Sequence, residues 1–451
     1  MKKWLILFGA ILFLFRGAFS TYLFQDDFFG FGISKISSFN QFLNFFSIFR
    51  GDRFYRPLST EVFYFISQNL NNLFLTRLLV FSVFFTGLLF LYKIIVLLAK
   101  NKSLAFLTVF IYAVSFTHIF QLYWLATFQE VAMFSFSCAA TYFFLKRNWL
   151  GLVFFLAALL SKESAIVLPL VLLLLTRDFR RTFPYFLLVL PLLIVYKINY
   201  AGVALKPEYV PIFNPKLIGN NLLWYVLWAF GLPNFFPDFI PSIFSLPTQS
   251  LWTAINNARA LPYLIFWGLF IGFLGLTLII SRNKKIILVG IFCLLGFLIY
   301  VLPISVIVHK WMVRLTIPVI FSSLFLAYLM VNSKRWLAIP LVVFYVLYNF
   351  LAIPVHENTS TYKYESKIVQ NVALNILDKD FESVCFSDEI KPENGWEGSR
   401  KLKLTLFDQW FLSYYFPNQK KRAFYGFDDG VYPSDCLIIP ARAILTSASD
   451  R

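Results

Sequence analysis

Two adjacent carboxylates, Asp26 and Asp27, follow an apolar run in "TYLFQDDFFG", in a chain of 451 residues with only 23 acidic side chains. Neighbouring carboxylates beside a semi-buried cavity repel each other and have their pKa values pushed apart, which is a common arrangement for a catalytic base. The alternative is a hydrated helix end that marks a membrane interface. The pair is therefore a candidate for proton transfer or for simple hydration.

Two further segments contain charges that could bind a phosphate. Arg56 in "YRPLS" precedes Pro57, which favours extended geometry, and its planar guanidinium can make two parallel bonds to a phosphate. Pairing with lipid headgroups is the alternative. Lys162 and Glu163 in "LLSKESAIVLPL" separate two short apolar segments, where a charge costs about 3 kcal/mol or more at the bilayer centre. They form either the charged floor of a cavity or a self-neutralising ion pair in a tight turn.

Histidines and cations also occur near the expected ends of apolar segments. "PISVIVHKWMVRLTIP" contains His309, Lys310 and Arg314. On a helix the last two share a face, because they are four residues apart. Anchoring to headgroups explains them almost as well as ligand binding does. His118 in "VSFTHIFQLYW" is a candidate ligand contact, although a lone histidine there is more often a hydrogen-bonded structural residue.

The composition is that of a polytopic membrane protein. The chain is 59% hydrophobic and 20% aromatic, and several apolar stretches have the roughly 20 residues needed to cross a bilayer. The net charge of +17 comes from basic residues scattered between these stretches, so it indicates membrane topology and not a nucleic-acid partner. Phosphate-binding glycine loops, zinc-binding HExxH and the GxSxG nucleophile motif do not occur in the sequence.

Hydropathy and the distribution of positive charge predict about 11 transmembrane helices. Nine are full spans, expected at 4–24, 73–98, 103–122, 124–145, 182–199, 260–280, 286–308, 313–331 and 335–353. The other two crossings are the short helices between 149 and 176. This count places the N-terminus in the cytoplasm and the C-terminus outside, with a first outer loop at 25–72 and a long outer loop at 200–259. One interfacial or re-entrant helix is expected near 218–231.

Residues 357–451 are more polar and predict a small extracytoplasmic α/β domain, following a membrane domain at 1–356. Strand-like runs such as "SVCFS", "RAFYGF" and "CLIIPA" alternate with helix-like runs. Cys385 and Cys436 both lie in this segment and could form a disulfide if it is exported, while two isolated thiols are an equal alternative. Cys138 and Cys293 are expected to be buried in membrane helices.

Several of these motifs, taken in chain order, resemble the C-type (GT-C) membrane glycosyltransferases. They are "QDDFFG", "YRPLSTEVFYF", the Thr-His pair that ends at His118, and "LLSKESAIVLP". The likeness is to the protein O-mannosyltransferases, especially the transmembrane, tetratricopeptide-bearing group and its bacterial relatives, and it covers residues 1–200. Two features depart from that group. A proline and a second histidine are missing near His118, and tetratricopeptide repeats are absent.

The resemblance implies an enzyme of the plasma (inner) membrane that moves a monosaccharide from a polyprenyl-phosphate donor to an acceptor hydroxyl on the extracytoplasmic side. The acceptor would be a glycan, a lipid or a protein, and the transfer would invert the anomeric centre. No cofactor is required, although the two acids leave room for a divalent metal.

The resemblance also implies roles for particular residues. Asp26 or Asp27 would be the general base. The groups expected to hold the donor phosphate are Arg56, Lys162 and Arg314. The groups expected to contact substrate are His118, His309, Lys310 and Glu163. Glu163 would either orient Lys162 or contact the sugar.

Two other functions fit the same charges. A flippase or transporter of polyprenyl-linked sugars would also need charged groups at membrane depth. Transporters often contain inverted repeats, however, and the second half of this chain has no matching interrupted segment. A polysaccharide polymerase or ligase would share the lipid-linked donor but transfer longer glycans.

Overall fold

The computed structural model describes most of the chain. The described residues are 2–49, 53–203, 209–240, 242, 245–281, 283–359, 362–388, 397–429 and 432–449. Parts of the three non-membrane segments expected from the sequence therefore lie outside the described residues: 50–52 in the first loop, 204–208 in the long loop and 389–396 in the C-terminal segment.

The first half of the chain is helical, with short helices around the Asp26–Asp27 pair and longer ones after it. Its α-helices are α1 (Lys2–Leu14), α2 (Asp26–Ile33), α3 (Phe39–Leu43), α4 (Phe63–Leu70), α5 (Leu73–Ala99), α6 (Lys102–Ala113), α7 (Ile119–Tyr123), α8 (Phe128–Leu145), α9 (Leu150–Leu159), α10 (Leu168–Thr176) and α11 (Phe179–Val203). Asparagine caps begin two of them, since Asn72 and Asn101 each accept a hydrogen bond from a backbone N–H of the first helical turn.

The second half begins with helices of the long loop and continues with long apolar helices. Its α-helices are α12 (Pro215–Ala229), α13 (Phe236–Phe239), α14 (Ser250–Asn257), α15 (Leu261–Ile280), α16 (Lys284–Ser305), α17 (Pro318–Asn332) and α18 (Arg335–Thr359). The expected helix near 218–231 is confirmed as α12. Its sequence begins with Asn214 as the cap and Pro215 at the first helical position, which is a strong helix-start signal.

Five helices within the described residues are long and apolar enough to cross a membrane. They are α5, residues Phe179–Asn199 of α11, α15, α16 and α18, and the bent pair formed by α6 and residues Phe116–Tyr123 makes six if it counts as one span. These helices indicate an α-helical membrane protein. The expected number of 11 spans is wrong by this criterion.

The difference comes from helices shorter than hydropathy alone predicts. The expected spans at 4–24 and 313–331 correspond to α1 and α17, which have 13 and 15 residues. A span needs about 20 residues to cross about 30 Å of hydrocarbon. The expected span at 124–145 is α8, which has 18 residues and contains the buried Glu130. The assignment of the C-terminus to the outer side depended on the odd count, so it stays a prediction.

The hairpin expected between 149 and 176 is confirmed as two short apolar helices. α9 ends at Leu159, a tight turn contains Ser161 and Lys162, and a 3₁₀ turn at Glu163–Val167 leads into α10. The backbone N–H groups of Ser161 and Lys162 both donate to the carbonyl of Ala158, which closes the end of α9. The turn is buried, so its charges need partners from within the protein.

The C-terminal segment contains strands at the three runs that its sequence predicts, and they form a small parallel sheet. Strands β1 (Ser383–Ser387), β2 (Arg422–Tyr425) and β3 (Cys436–Pro440) are arranged in the order β2-β1-β3. Val384 pairs with Ala423 on one side and with Leu437 on the other. The helices of this segment are α19 (Tyr362–Ile376), α20 (Gly398–Leu406), α21 (Trp410–Tyr415), α22 (Gly426–Asp429) and α23 (Ala441–Ser449).

A disulfide and aromatic packing fix this segment. Cys385 and Cys436 form a disulfide between the adjacent strands β1 and β3, which decides the alternative left open by the sequence. Helix α21 packs on α2, and the Trp410 ring lies edge-on to Phe29 at 5.1 Å between centroids. A Cβ at Gly32 would lie 2.2 Å from the Trp410 ring, so this close approach requires glycine. The C-terminal segment therefore covers the helix that begins with Asp26.

Candidate functional site

The turn before Asp26 has a backbone conformation that side chains rarely adopt. Gln25 has φ 50° and ψ −128°, in a region that favours glycine and costs about 1–3 kcal/mol for other residues. Its N–H donates to the Thr405 carbonyl over 2.7 Å, and its Nε2 donates to Glu365 Oε2 over 2.6 Å. Glu365 is fully buried and pairs with Lys401. The C-terminal segment thus holds the turn in its strained conformation.

The two carboxylates that follow have opposite environments. Asp27 is fully buried, where Oδ1 accepts a 2.6 Å hydrogen bond from the Tyr64 hydroxyl and Oδ2 accepts one from the Phe24 N–H over 3.2 Å. Burial raises the pKa of Asp27 to about 7, although the Tyr64 hydrogen bond and the positive charge of Arg77 oppose the shift. Asp26 is exposed and lines a cavity. The structure thus separates the two acids that the sequence leaves equivalent.

The cavity has a volume of about 420 Å³ and lies between the Asp26 turn, the long loop and the segment before α17. Apart from its aromatic rings, its polar lining residues are Gln25, Asp26, Asn234, Asp238, His309, His356 and Thr359. Among the described residues that line it there is no Lys or Arg. The charged side chains that the cavity presents directly are therefore carboxylates.

Aromatic side chains form much of the remaining wall. Trp124 stacks on Phe24 at 5.4 Å between centroids, and its ring also contacts Trp311 at 5.7 Å and Tyr362 at 6.2 Å. Tyr362, the first residue of α19, also lines the cavity and contacts the ring of Phe24. The wall is rigid because these rings pack on one another, and ligands are commonly held by such a mixture of aromatic faces and few polar groups.

His309, Lys310 and Arg314 lie together near one side of the cavity. His309 lines it, and the Arg314 Nη1 donates to the His309 carbonyl over 2.8 Å. Partial burial lowers the pKa of Lys310, and the nearby Asp238 carboxylate opposes that shift. Arg314 therefore fixes the loop that presents His309, while Lys310 balances a carboxylate of the cavity.

The charges of the hairpin turn are paired with acids or bases of other segments. Arg56 makes a bidentate ion pair with Glu163, with Nε to Oε2 at 2.8 Å and Nη2 to Oε1 at 2.6 Å. Lys162 is buried and pairs with Glu130 of α8. The expected orientation of Lys162 by Glu163 is thus replaced by two separate ion pairs. Bidentate Arg–carboxylate geometry is the stronger of the common pairings.

The "YRPLS" segment and the hairpin are also joined through their backbones. The Ser59 hydroxyl donates to the Ser161 carbonyl over 2.6 Å, and the Leu58 N–H donates to the Leu160 carbonyl over 3.2 Å. Residues Leu58–Val62 form a π-helical turn, a feature that is frequent at functional sites. The two motifs that the sequence predicts to act together are therefore adjacent.

A chain of aromatic contacts connects this pair of motifs with the cavity. The Arg56 guanidinium lies 4.3 Å from the centroid of Phe54, and Phe54 contacts Tyr209 at 6.4 Å. Tyr209 lines the cavity and lies 5.7 Å from the His309 ring. Arg56 and Glu163 thus lie behind one cavity wall and are not among its lining residues.

His118 is placed in the interior. It is fully buried, its Nε2 lies 2.8 Å from the Tyr112 carbonyl, and its ring contacts Phe84. It is not among the cavity-lining residues, and its contacts fit the structural alternative stated for it above.

Of the nine predicted site residues, Asp26 and His309 line the cavity. The expectation that all nine would converge on one cavity is not met, since Arg56, Lys162 and Glu163 form ion pairs and Asp27 and His118 are buried elsewhere.

Sequence reasoning missed three charged residues, Arg77, Glu130 and Asp238. Arg77 is fully buried in α5 and donates to the carbonyls of Tyr123 and Thr21. Arg77 and Glu130 gave a usable signal, because a charged residue inside an apolar helix is rare and usually has a partner. Asp238 in "NFFPDFIP" gave none, because no local pattern distinguishes it from an ordinary solvated acid of a loop.

No three His, Cys, Asp or Glu side chains of the described residues gather closely enough to hold a metal ion by themselves. Comparison with protein-family models gave no match, and comparison with curated proteins gave none either. The likeness to C-type glycosyltransferases therefore depends on the motifs alone.

Proposed function

We propose that the chain is a C-type membrane glycosyltransferase that moves a monosaccharide from a polyprenyl-phosphate donor to an acceptor hydroxyl. The observation that carries the proposal is the separation of the two acids, since Asp26 lines a cavity whereas Asp27 is fully buried and is not among the lining residues. The motif likeness supplies the class of donor. The proposed side of the membrane is extracytoplasmic, in the plasma membrane, with the N-terminus in the cytoplasm and the C-terminus outside.

In the proposed reaction Asp26 is the general base. The acceptor hydroxyl gives its proton to the Asp26 carboxylate while its oxygen bonds to the anomeric carbon. The bond between that carbon and the phosphate oxygen breaks, and the electron pair leaves with the polyprenyl phosphate. Attack opposite to the leaving group inverts the anomeric centre. A positioned carboxylate contributes about 10²- to 10⁴-fold to such a step.

The proposed phosphate contacts are His309 and its neighbours Lys310 and Arg314, because His309 lines the cavity and Arg314 holds the loop that carries it. Positive groups near the departing oxygen stabilise its developing charge. Arg56, Lys162 and Glu163 are proposed to hold the wall behind the cavity through their ion pairs. Arg56 and Lys162 are thus proposed to support the site, whereas the sequence predicts that they bind the donor phosphate.

The test is transfer from a radiolabelled polyprenyl-phosphate sugar by purified protein in lipid nanodiscs. Asp26→Asn should lower the rate of transfer at least 100-fold with little change in thermal stability. Asp27→Asn is the matched control, because it changes the neighbouring acid, which does not line the cavity. Undiminished transfer by Asp26→Asn would refute the base assignment. Donor movement between leaflets without transfer would support a flippase instead.

The proposed orientation has its own test. In cells with a permeabilised outer barrier, an impermeant thiol reagent should label the partly exposed Cys436 after reduction of its disulfide with the buried Cys385. Cys138 and Cys293 are buried and should stay unlabelled, which provides the internal control. Protection of Cys436 would place the C-terminal segment on the other side.

A further inference from the structure

The loop segment between α2 and the π-helical turn exposes large apolar side chains. Four of its residues have exposed fractions from 48% to 77%, and they are Phe39, Leu43, Ile48 and Phe49. On its inner side, Phe42 and Phe45 pack on Phe65 of α4 at 5.9 Å and 6.4 Å between ring centroids. The segment is therefore held to α4 by one face and presents apolar side chains on another. Clustered exposed apolar groups of this kind mark a surface that contacts a partner or a membrane.

This segment lies where two candidate membrane spans end. Asn199 is the last residue of the span Phe179–Asn199, and its side-chain amide donates to the Ile48 carbonyl over 2.7 Å. Helix α4, on which the segment packs, ends at Leu70, and the span α5 begins at Leu73. The apolar layer of the membrane therefore has its boundary close to the segment. Aromatic side chains are enriched at such boundaries.

A basic pocket opens beside the exposed aromatic side chains. It has a volume of about 360 Å³, and its polar lining residues are Lys35, Gln41, Asn44, Ser47 and Arg53. No Asp or Glu of the described residues lines it. Phe49 lines the pocket and is 77% exposed, so the basic groups and the exposed apolar surface are continuous. A molecule that combines an anionic group with apolar chains fits both parts.

The two cations are positioned by the elements around Asp26. Lys35 Nζ donates to the Ser413 carbonyl of α21 over 2.7 Å, and the Arg53 guanidinium lies 5.8 Å from the ring centroid of Phe29 in α2. A carbonyl does not neutralise the charge of Lys35, and an ammonium has three N–H donors, so further donors are available to an anion. The pocket is thus a basic site with a fixed position relative to α2.

We propose that this segment docks on the membrane surface and that its pocket binds the phosphate of an anionic phospholipid. Lys35 and Arg53 face the phosphate, while Phe39, Leu43 and Phe49 lie among the acyl chains. Apolar insertion and attraction to anionic headgroups act together in segments that lie in the interface.

The inference does not depend on the proposed function. Within the described residues, the basic pocket and the cavity beside Asp26 share no lining residue. The two are connected only through α2, which begins with Asp26 and ends at Ile33, two residues before Lys35. Docking would therefore hold the helix of the candidate base at the membrane surface.

The first measurement is lipid binding to the full chain by native mass spectrometry. The probes are phosphatidylglycerol and phosphatidylcholine with identical acyl chains, and phosphatidylglycerol should bind more tightly. Lys35→Gln and Arg53→Gln should each weaken its binding about fivefold, because each removes one cation from the anionic headgroup. Lys35→Arg keeps the charge and should retain the affinity.

The matched control is Lys102→Gln. Lys102 is an exposed cation at the start of α6, which follows the opposite end of α5. This change should leave phosphatidylglycerol affinity as in the original protein. Equal weakening by Lys102→Gln and Lys35→Gln would overturn the proposal, as would equal binding of the two phospholipids.

Competition distinguishes the possible sources of the phosphate. Inorganic phosphate should not displace phosphatidylglycerol, because it lacks the acyl chains. Displacement by inorganic phosphate at equal concentration would indicate a site for free phosphate. Displacement by polyprenyl phosphate at a much lower concentration than a second anionic phospholipid requires would assign the pocket to the sugar donor. Either result would overturn the assignment to a bilayer phospholipid.

The second measurement is the depth of a nitroxide label at Leu43→Cys in lipid nanodiscs. The control is Leu404→Cys in α20, because the two leucines are 52% and 45% exposed and Leu404 lies outside the candidate spans of the described residues. The label at position 43 should collide mainly with oxygen, which concentrates in the bilayer, and the label at 404 mainly with a water-soluble nickel chelate. Preference for the chelate at position 43 would overturn the docking, and protection from both reagents would indicate a second copy of the chain there instead.

Discussion

The hairpin turn and the cavity contain similar charged residues in different arrangements. Each charge of the turn lies against an opposite charge from another segment, Glu163 against Arg56 and Lys162 against Glu130 of α8. In the cavity the acids Asp26 and Asp238 line open space together with aromatic rings, and Lys310 lies near Asp238 without being among the lining residues. Charges in the first arrangement neutralise one another and fix two segments relative to each other. Charges in the second arrangement are placed where a ligand can reach them.

The comparison shows that charge at membrane depth does not by itself mark the place of chemistry. A buried ion pair offsets the cost of desolvation, and it holds the geometry of what surrounds it. By this argument the hairpin is a support for the cavity wall that carries Tyr209. Four changes test the comparison, beginning with the largest expected effect.

The first change is Lys162→Met, which leaves the buried Glu130 carboxylate without its cation. The free energy of unfolding should fall by about 3–5 kcal/mol, measured by denaturant titration in detergent micelles. Lys162→Met combined with Glu130→Gln should recover most of this loss, because no isolated charge remains. The control is Lys363→Met in the pair with Glu357, whose lysine side chain is 42% exposed, where about 0–1 kcal/mol is expected. A small effect at Lys162 would mean that the turn is hydrated and not a rigid support.

The second change concerns Asp27 and pH. Its folded pKa of about 7 is above the unfolded value of about 3.9, so the folded state holds the proton more tightly. The stabilisation is complete below about pH 4 and is lost as the pH rises towards 7, on the order of 4 kcal/mol in total. Asp27→Asn should remove this slope from the pH dependence of thermal unfolding. An unchanged slope in the variant would show that other groups cause it.

The third change is a double-mutant cycle with Arg56→Gln and Glu163→Gln. The coupling energy should be about 1.5–3 kcal/mol, because the pair is bidentate and mostly buried, with side-chain exposures of 13% and 26%. The cycle is repeated with saturating polyprenyl phosphate. Unchanged coupling supports the role of Arg56 in the wall. Loss of coupling on addition of the lipid would return Arg56 to the phosphate-binding role that the sequence predicts.

The smallest change is Ser59→Ala, which removes the hydrogen bond to the Ser161 carbonyl. The expected loss is about 1 kcal/mol in the free energy of unfolding, since a buried carbonyl loses its donor. Ser82→Ala is the control, because the Ser82 hydroxyl is exposed and bonds only within its own helix. Equal effects of the two changes would mean that the hydrogen bond between "YRPLS" and the hairpin makes no specific contribution to the free energy of unfolding.

Much of the local structure could be predicted from the sequence. The hairpin follows from two apolar segments that are too short to span a membrane, and the three strands follow from short runs rich in apolar and aromatic residues. Each of these predictions depends on residues close together in the chain, because the hydrophobic pattern and the strand or helix propensity of a short segment determine its local structure.

Partners distant in the chain could not be predicted in the same way. The sequence suggested that Lys162 pairs with the adjacent Glu163, whereas packing of α8 against the hairpin brings Glu130 to it, 32 residues away. The orientation of Asp26 depends on Gln25, whose side-chain partner Glu365 is 340 residues away. Neither contact leaves a local pattern, because each is made by the folded arrangement of whole helices.

The hydrogen bond from the Gln25 N–H to the Thr405 carbonyl determines when the site can form during synthesis of the chain. Ribosomes add about 5–20 residues per second, so roughly 20 to 80 s separate the synthesis of these two residues. During that time the early helices can enter the membrane while the turn before Asp26 lacks the contacts that hold its strained conformation. The cavity therefore reaches its final geometry only after the C-terminal segment has emerged and folded. Biosynthesis itself delays the completion of the site, and a chain that stops before residue 405 would insert without completing it.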